Sequence, residues 1–271
     1  VGSIGSALIY ALARRLGGVR AGMLAALLAA LATLHIAWSQ EARMYALTAT
    51  FTALAAYAYL RLDASRWRRW LLLVIGGSGA ALSHYLGVLA LVILNLHWLL
   101  TFRQRPPAFH RRWLLAMTAC VLLVGLWLLY AIGLIRTDGG PAIFDPVFVF
   151  HLLATLFAVG QSTNLTDHIP ITLAVSATFL AGTGLLLRVD RRGGLLIALG
   201  VFLPPLAVTL LSVPFNPFYA PAPEERYFVI FAPLVLAGFG LALDHLLRLS
   251  RALGVLATLT VLLIYGAALL D

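Results

Sequence analysis

The chain has no lysine and one cysteine, and only 11% of its 271 positions are charged. The lone thiol, Cys120 in the apolar run MTACVLLVG, excludes an intramolecular disulfide and a cysteine-based metal cluster. The scarcity of charge excludes a soluble domain: hydrophobic residues fill 62% of positions and mean hydropathy is +0.98. Soluble domains hold roughly 45–50% apolar residues. No metal-ligand spacing, nucleophile elbow or phosphate-binding glycine loop is found. There is also no initiator Met and no signal-peptide region; the chain opens directly on VGSIGSALIY and reads as a fragment whose N-terminal part lies upstream.

What is present is a succession of apolar runs of about 15 to 23 residues, the length of helices crossing a ~30 Å hydrocarbon layer rather than the ~10-residue alternating strands of a barrel. The expected fold is all-α and polytopic, one transmembrane domain over 1–271. About ten helices are placed near 1–13, 21–37, 44–60, 70–82, 86–102, 113–135, 169–187, 194–213, 227–247 and 252–270. The net charge of +9 is spread over many short loops instead of one patch or stripe, which points to membrane lipids as partners and away from nucleic acid.

The arginines orient the chain. Loops RRLGGVR, RLDASRWRR, RQRPPAFHRR, RVDRR and RLSR carry three, four, four, three and two Arg, sixteen in all, and the alternate loops hold only Arg43, Arg136 and Arg226. By the positive-inside rule the sixteen are cytoplasmic and the other loops face outward. The uncharged stretch Trp70–Leu100 would be about 46 Å long as one helix and would put two four-Arg loops on opposite sides. Two short helices turning at Ser83–His84–Tyr85 keep both inside, with GGSG (Gly76 to Gly79) permitting a bend or close packing. Residues 136–168 form a long external loop containing an amphipathic stretch, Pro146 to Gly160, expected to lie along the interface.

The external loops gather seven of the ten acidic residues, all but Asp63, Asp190 and Asp244. The stretch WSQEARMY sets Glu41, Arg43 and Tyr45 into a nearly hydrocarbon chain; were it helical, Glu41 and Tyr45 would share a face with Arg43 turned about 160° away. His84 and Tyr85 sit at the predicted hairpin. A Pro-rich segment ends in Glu225, Arg226 and Tyr227 at the mouth of a late helix, where Arg226 has the forked donors suited to phosphate. Each group also has a plain reading, as helix-terminal charges, interface anchors or a satisfied buried pair, and spacing alone does not decide between them.

The run RRLGGVRAGMLAALLAALATLHIAWSQEARMYAL resembles the GT-C superfamily of membrane glycosyltransferases, in the branch of protein O-mannosyltransferases and aminoarabinose transferases. The resemblance continues through Ser83-His84-Tyr85 and Glu225-Arg226-Tyr227, and covers most of 10–100 and 215–245. It implies sugar transfer from a polyprenyl-phosphate donor to a glycan, lipid or protein acceptor, with inversion, on the outer face of the plasma (inner) membrane. Glu41 would then be the second acidic motif, with Arg43 and Tyr45 supporting it, Arg226 on the donor phosphate with Glu225 and Tyr227 beside it, and His84 and Tyr85 lining the cavity. Some relatives use a divalent metal; no cofactor is otherwise implied. The family's catalytic Asp belongs to a first external loop that this chain does not contain. The competing reading is a transporter or flippase of a lipid or glycolipid, against which stand the absence of a convincing repeat and the placing of charges in external loops rather than at mid-membrane.

Overall fold

A computed structural model describes residues 2–41, 44–63, 65–134, 146–160, 168–211 and 226–269. The described residues contain helices and short 3-10 turns and no strand. In chain order the helices are α1 (Gly2–Gly17), α2 (Val19–Leu31), α3 (Thr33–Gln40), α4 (Met44–Leu60), α5 (Trp67–Ser83), α6 (Val88–Leu100) and α7 (Pro107–Leu134). There follow α8 (Pro146–Val159), α9 (Ile169–Val189), α10 (Arg191–Leu211), α11 (Arg226–Val229), α12 (Ala232–Leu249) and α13 (Arg251–Ala267). Eight of the ten expected helices are present as single helices; that at 21–37 is broken at Ala32 into α2 and α3, and that at 227–247 is broken at Ile230–Phe231 into α11 and α12. Several begin earlier than their apolar runs because arginine is a good helix former: Arg111 and Arg112 lie inside α7, Arg68 and Arg69 inside α5.

Among the described residues α7, α9, α10 and α12 are long and apolar enough to cross a membrane, and α2 with α3 makes a fifth if that bent pair is one span. The 17-residue helices α4 and α13 are about 26 Å long, near the hydrocarbon thickness.

The stretch Trp70–Leu100 is a hairpin, as the charge argument required. His84 is extended (φ −156°, ψ 139°), a 3-10 turn covers Tyr85–Gly87, and α6 returns along α5. A straight helix would hold residues 77 and 91 about 21 Å apart; instead Leu91 packs directly on Gly77.

Helix α12 is the shaft of the bundle. Every residue from Ala232 to His245 is buried, and the helix packs against α1, α2, α4, α9, α10 and α13. Small residues make this approach possible, as expected where lipid gives helices no hydrophobic reason to associate: a Cβ on Gly240 would stand 2.6 Å from the Ala25 backbone N. The α4–α5 pair is as close. A Cβ on Gly76 would stand 2.6 Å from the Ala55 N and 2.9 Å from its Cα, so Gly76→Ala must push the two helices apart. The expected loss is about 1–3 kcal/mol, read by unfolding of the detergent-solubilised protein. Gly125→Ala, which meets nothing within 4 Å, leaves stability unchanged.

The arginine-rich turns meet at one end. Buried Asp244 (0% exposed) pairs with Arg20 from the α1–α2 turn and with Arg248 at 2.7 Å, and Arg248 also donates to the Gly17 carbonyl at 2.7 Å. Arg192 binds Gln104, joining the α9–α10 and α6–α7 turns, while its carbonyl accepts from His97 Nε2 at 2.9 Å. Asp190 caps α10 through the Arg192 and Gly193 N–H groups, both at 3.1 Å. The three acidic residues set apart in the sequence thus all lie at the arginine-rich end, Asp63 and Asp190 in its turns and Asp244 inside α12.

The amphipathic stretch Pro146–Gly160 is helical as α8. It packs against α9, α10, α13 and α3 and buries Val149, Leu152, Leu156 and Phe157, and the Tyr265 hydroxyl of α13 donates to the Phe157 carbonyl at 2.5 Å.

Candidate active site

The stretch WSQEARMY forms a corner. Helix α2 stops at Leu31, Ala32 takes an extended conformation (φ −68°, ψ 106°), and α3 leaves at 62° to α2. Helix α3 runs only to Gln40, its last turn tightened by Ser39 Oγ donating to the Ile36 carbonyl at 2.8 Å. Glu41 then adopts φ −75°, ψ 134°, and α4 starts at Met44. Glu41 therefore lies in extended backbone between helices, so the shared helical face with Tyr45 does not arise. Its side chain is exposed at the corner. Arg43 lies outside the described residues.

A chain of rings holds the corner to the hairpin. Tyr45, buried in the first turn of α4, meets the edge of Trp38 at 5.1 Å (79° between planes) and His84 at 5.2 Å. His84 in turn stacks on half-buried Tyr85 at 4.4 Å and 27°. Such aromatic contacts are worth about 0.5–1.5 kcal/mol each beyond area burial. His84 Nδ1 accepts the Leu86 N–H at 3.1 Å, so the neutral ring carries its proton on Nε2.

Trp38 was not singled out among the candidate residues, and its only sequence signal was membership in WSQEARMY. It is 8% exposed, and its Nε1 is a buried donor with no hydrogen-bond partner among the described residues. Such an orphan donor costs about 1–3 kcal/mol and marks a place where a further acceptor is accommodated.

Helix α11 completes the arrangement. It packs against both α3 and α4, and residues Phe228 to Phe231 are buried. Because α11 begins with Arg226 and Tyr227, these residues enter the bundle beside the corner. Glu225 lies outside the described residues. The structure thus brings Tyr45, His84 and Tyr85 into direct contact, puts Glu41 at the head of the same corner, and lays the helix that starts at Arg226 against two of its walls. No three His, Cys, Asp or Glu side chains converge as a metal site among the described residues.

Residues 1–130 match the family model described as dolichyl-phosphate-mannose-protein mannosyltransferase. No curated protein matches the chain in sequence. Among solved structures, ArnT from Cupriavidus metallidurans in the apo state superposes with a TM-score of 0.63 at 15% identity, over 93% of this chain and 47% of that one. This chain therefore spans about half the length of that relative, and at such identity the likeness is one of fold. The matched region, a little under half of this chain, contains the corner and the hairpin; by composition and fold the chain is a multi-pass membrane protein whose first part is similar to that family.

Proposed function

We propose that this chain forms part of the membrane core of a glycosyltransferase that moves a sugar from a polyprenyl-phosphate donor to an acceptor hydroxyl. The observation that carries the reading is the convergence of the exposed Glu41 corner, the Trp38–Tyr45–His84–Tyr85 rings and the start of α11. The likeness of residues 1–130 to the mannosyltransferase family model supports this reaction class. The reaction is a single displacement: the acceptor oxygen attacks the anomeric carbon, its proton leaves, the bond from carbon to phosphate oxygen breaks, and the configuration inverts.

Glu41 holds a hydroxyl of the sugar or acceptor, a carboxylate being an acceptor of up to four hydrogen bonds, with Arg43 and Tyr45 supporting it. Arg226 meets the phosphate, where charge develops as the lipid departs. Glu225 and Tyr227 flank it, and His84 and Tyr85 line the cavity. The active face is extracytoplasmic, because the sixteen arginines of the alternate turns hold the other end in the cytoplasm of the plasma (inner) membrane.

The deciding experiment gives membranes containing the full-length protein a radiolabelled polyprenyl-phosphate sugar on either side of sealed vesicles. A transferase moves label into acceptor, from the extracytoplasmic side only. A flippase moves labelled lipid across the bilayer and forms no new glycosidic bond; that result would replace the present reading.

A further inference from the structure

At the arginine-rich end, an open cleft of about 720 Å³ lies between the α1–α2 and α4–α5 turns, lined by Arg14, Arg15, Arg61 and Arg69. A second cleft of about 520 Å³ shares Arg61 and Arg69 and continues to Arg66 and Arg68. Elsewhere at this end guanidinium groups are committed: Arg20 and Arg248 to Asp244, Arg192 to Gln104, and Arg105 over the Phe109 ring at 4.6 Å. Among the described residues, none of the arginines lining the two clefts makes an ion pair.

The one carboxylate in the lining, Asp63, is already engaged. It accepts from the Ser65 N–H at 3.0 Å and the Ser65 hydroxyl at 2.9 Å. These bonds, aided by the charges of Arg69 and Arg66, hold its carboxyl below the usual range, so it stays ionised without neutralising its neighbours by contact.

The donors are also preset. Arg14 lies over the Tyr10 ring at 5.8 Å and donates to its hydroxyl at 3.4 Å; Arg61 lies over Tyr57 at 5.3 Å and bonds its hydroxyl; Arg69 Nη1 donates to the Arg61 carbonyl at 2.7 Å. Planar forks anchored in this way lose less rotamer freedom when they close on phosphate.

The surroundings distinguish a lipid from a soluble anion. Leu72 lines the second cleft, and one stripe of α5 at i, i+4, i+8 spacing, Trp67, Leu71 and Ile75, is 64%, 46% and 44% exposed. That stripe runs from the clefts toward the middle of the bundle. A Trp at the boundary between guanidinium groups and exposed aliphatic surface suits the headgroup level of a bilayer.

We propose that these clefts bind one anionic phospholipid, its phosphate among Arg14, Arg15, Arg61 and Arg69 and its acyl chains along the Trp67–Leu71–Ile75 stripe. A basic pocket between helices on the cytoplasmic side is a recognised way of holding such head groups. The site lies at the opposite end from the Glu41 corner and does not depend on its function.

Native mass spectrometry of the full-length protein in detergent tests this, with phosphatidylglycerol and phosphatidylcholine as probes and inorganic phosphate as competitor. Phosphatidylglycerol should be retained about tenfold better than phosphatidylcholine. The variant R14Q/R15Q/R61Q should lose about tenfold in that retention, while R103Q/R111Q/R112Q, which removes the same charge from exposed positions at the same end, should lose less than about twofold. Equal losses in the two variants, or none in the first, would overturn the proposal. So would displacement of the lipid by inorganic phosphate at equal concentration, which would make the clefts a site for a soluble anion. Should the triple variant misfold, Arg14→Gln alone, at an exposed side chain, must still lower retention about threefold; unchanged retention overturns the proposal equally.

Discussion

Glu41→Gln in the full-length protein is expected to lower transfer from a labelled polyprenyl-phosphate sugar by about a hundredfold or more. The substitution keeps size and shape and removes only the charge and one acceptor oxygen. Glu41 is exposed, and the isosteric amide fits the same corner beside the buried Trp38–Tyr45 contact. Membrane insertion and unfolding temperature therefore stay as in the wild type. The paired substitution Arg226→Ala is expected to cost about 10²–10³ in turnover, the usual result of deleting one donor aimed at developing charge. It differs in where the loss appears: withdrawal of a phosphate partner affects donors of every sugar alike, whereas loss of Glu41 depends on which hydroxyls the sugar or acceptor presents. Unchanged transfer in both variants would remove the corner from the active site.

The second large effect is structural. Replacing both Arg20 and Arg248 with Ala strips Asp244 of its two guanidinium partners while leaving the carboxylate fully buried. Breaking a buried pair from one side typically costs about 3–5 kcal/mol, because an unpaired charge is left behind. Either single substitution leaves one partner and should cost much less, since each arginine is itself more than half exposed. Adding Asp244→Asn to the double variant should recover most of the loss. Thermal unfolding of the wild type and these four variants in one detergent measures the effects; equal stabilities throughout would mean that the cluster contributes nothing.

Arginine placement made most of the architecture legible. Only a hairpin reconciles the loops at 61–69 and 103–112, and the chain reverses at His84 as that reasoning demands. The bend at Ala32 was invisible because it uses neither Pro nor Gly; an alanine in extended conformation suffices where α11 and α8 pack around α3. Helix α8 was recognised as an amphipathic segment, but periodicity cannot say whether its apolar face meets lipid or other helices, and here α9, α10 and α13 pack against it. At the site, the motif SQEARMY named the corner, and the T-H-Y-like turn named the hairpin beside it. Trp38 was passed over because an aromatic in an apolar helix looks like core until its indole nitrogen is seen without a partner among the described residues. That α11 leans on α3 and α4 joins residues nearly 190 positions apart, a pairing no local pattern contains.

The burial of α12 also sets a schedule. The slot lined by α1 and α2 is filled by a helix whose Asp244 lies 224 residues after its partner Arg20. At about 5–20 residues per second, synthesis leaves that slot empty for on the order of ten to forty-five seconds. Through that interval Ala21, Ala25 and the unpaired Arg20 face lipid or a chaperone. The small side chains that let the finished bundle close are, while those 224 residues are made, an open groove that must be kept from the wrong helix.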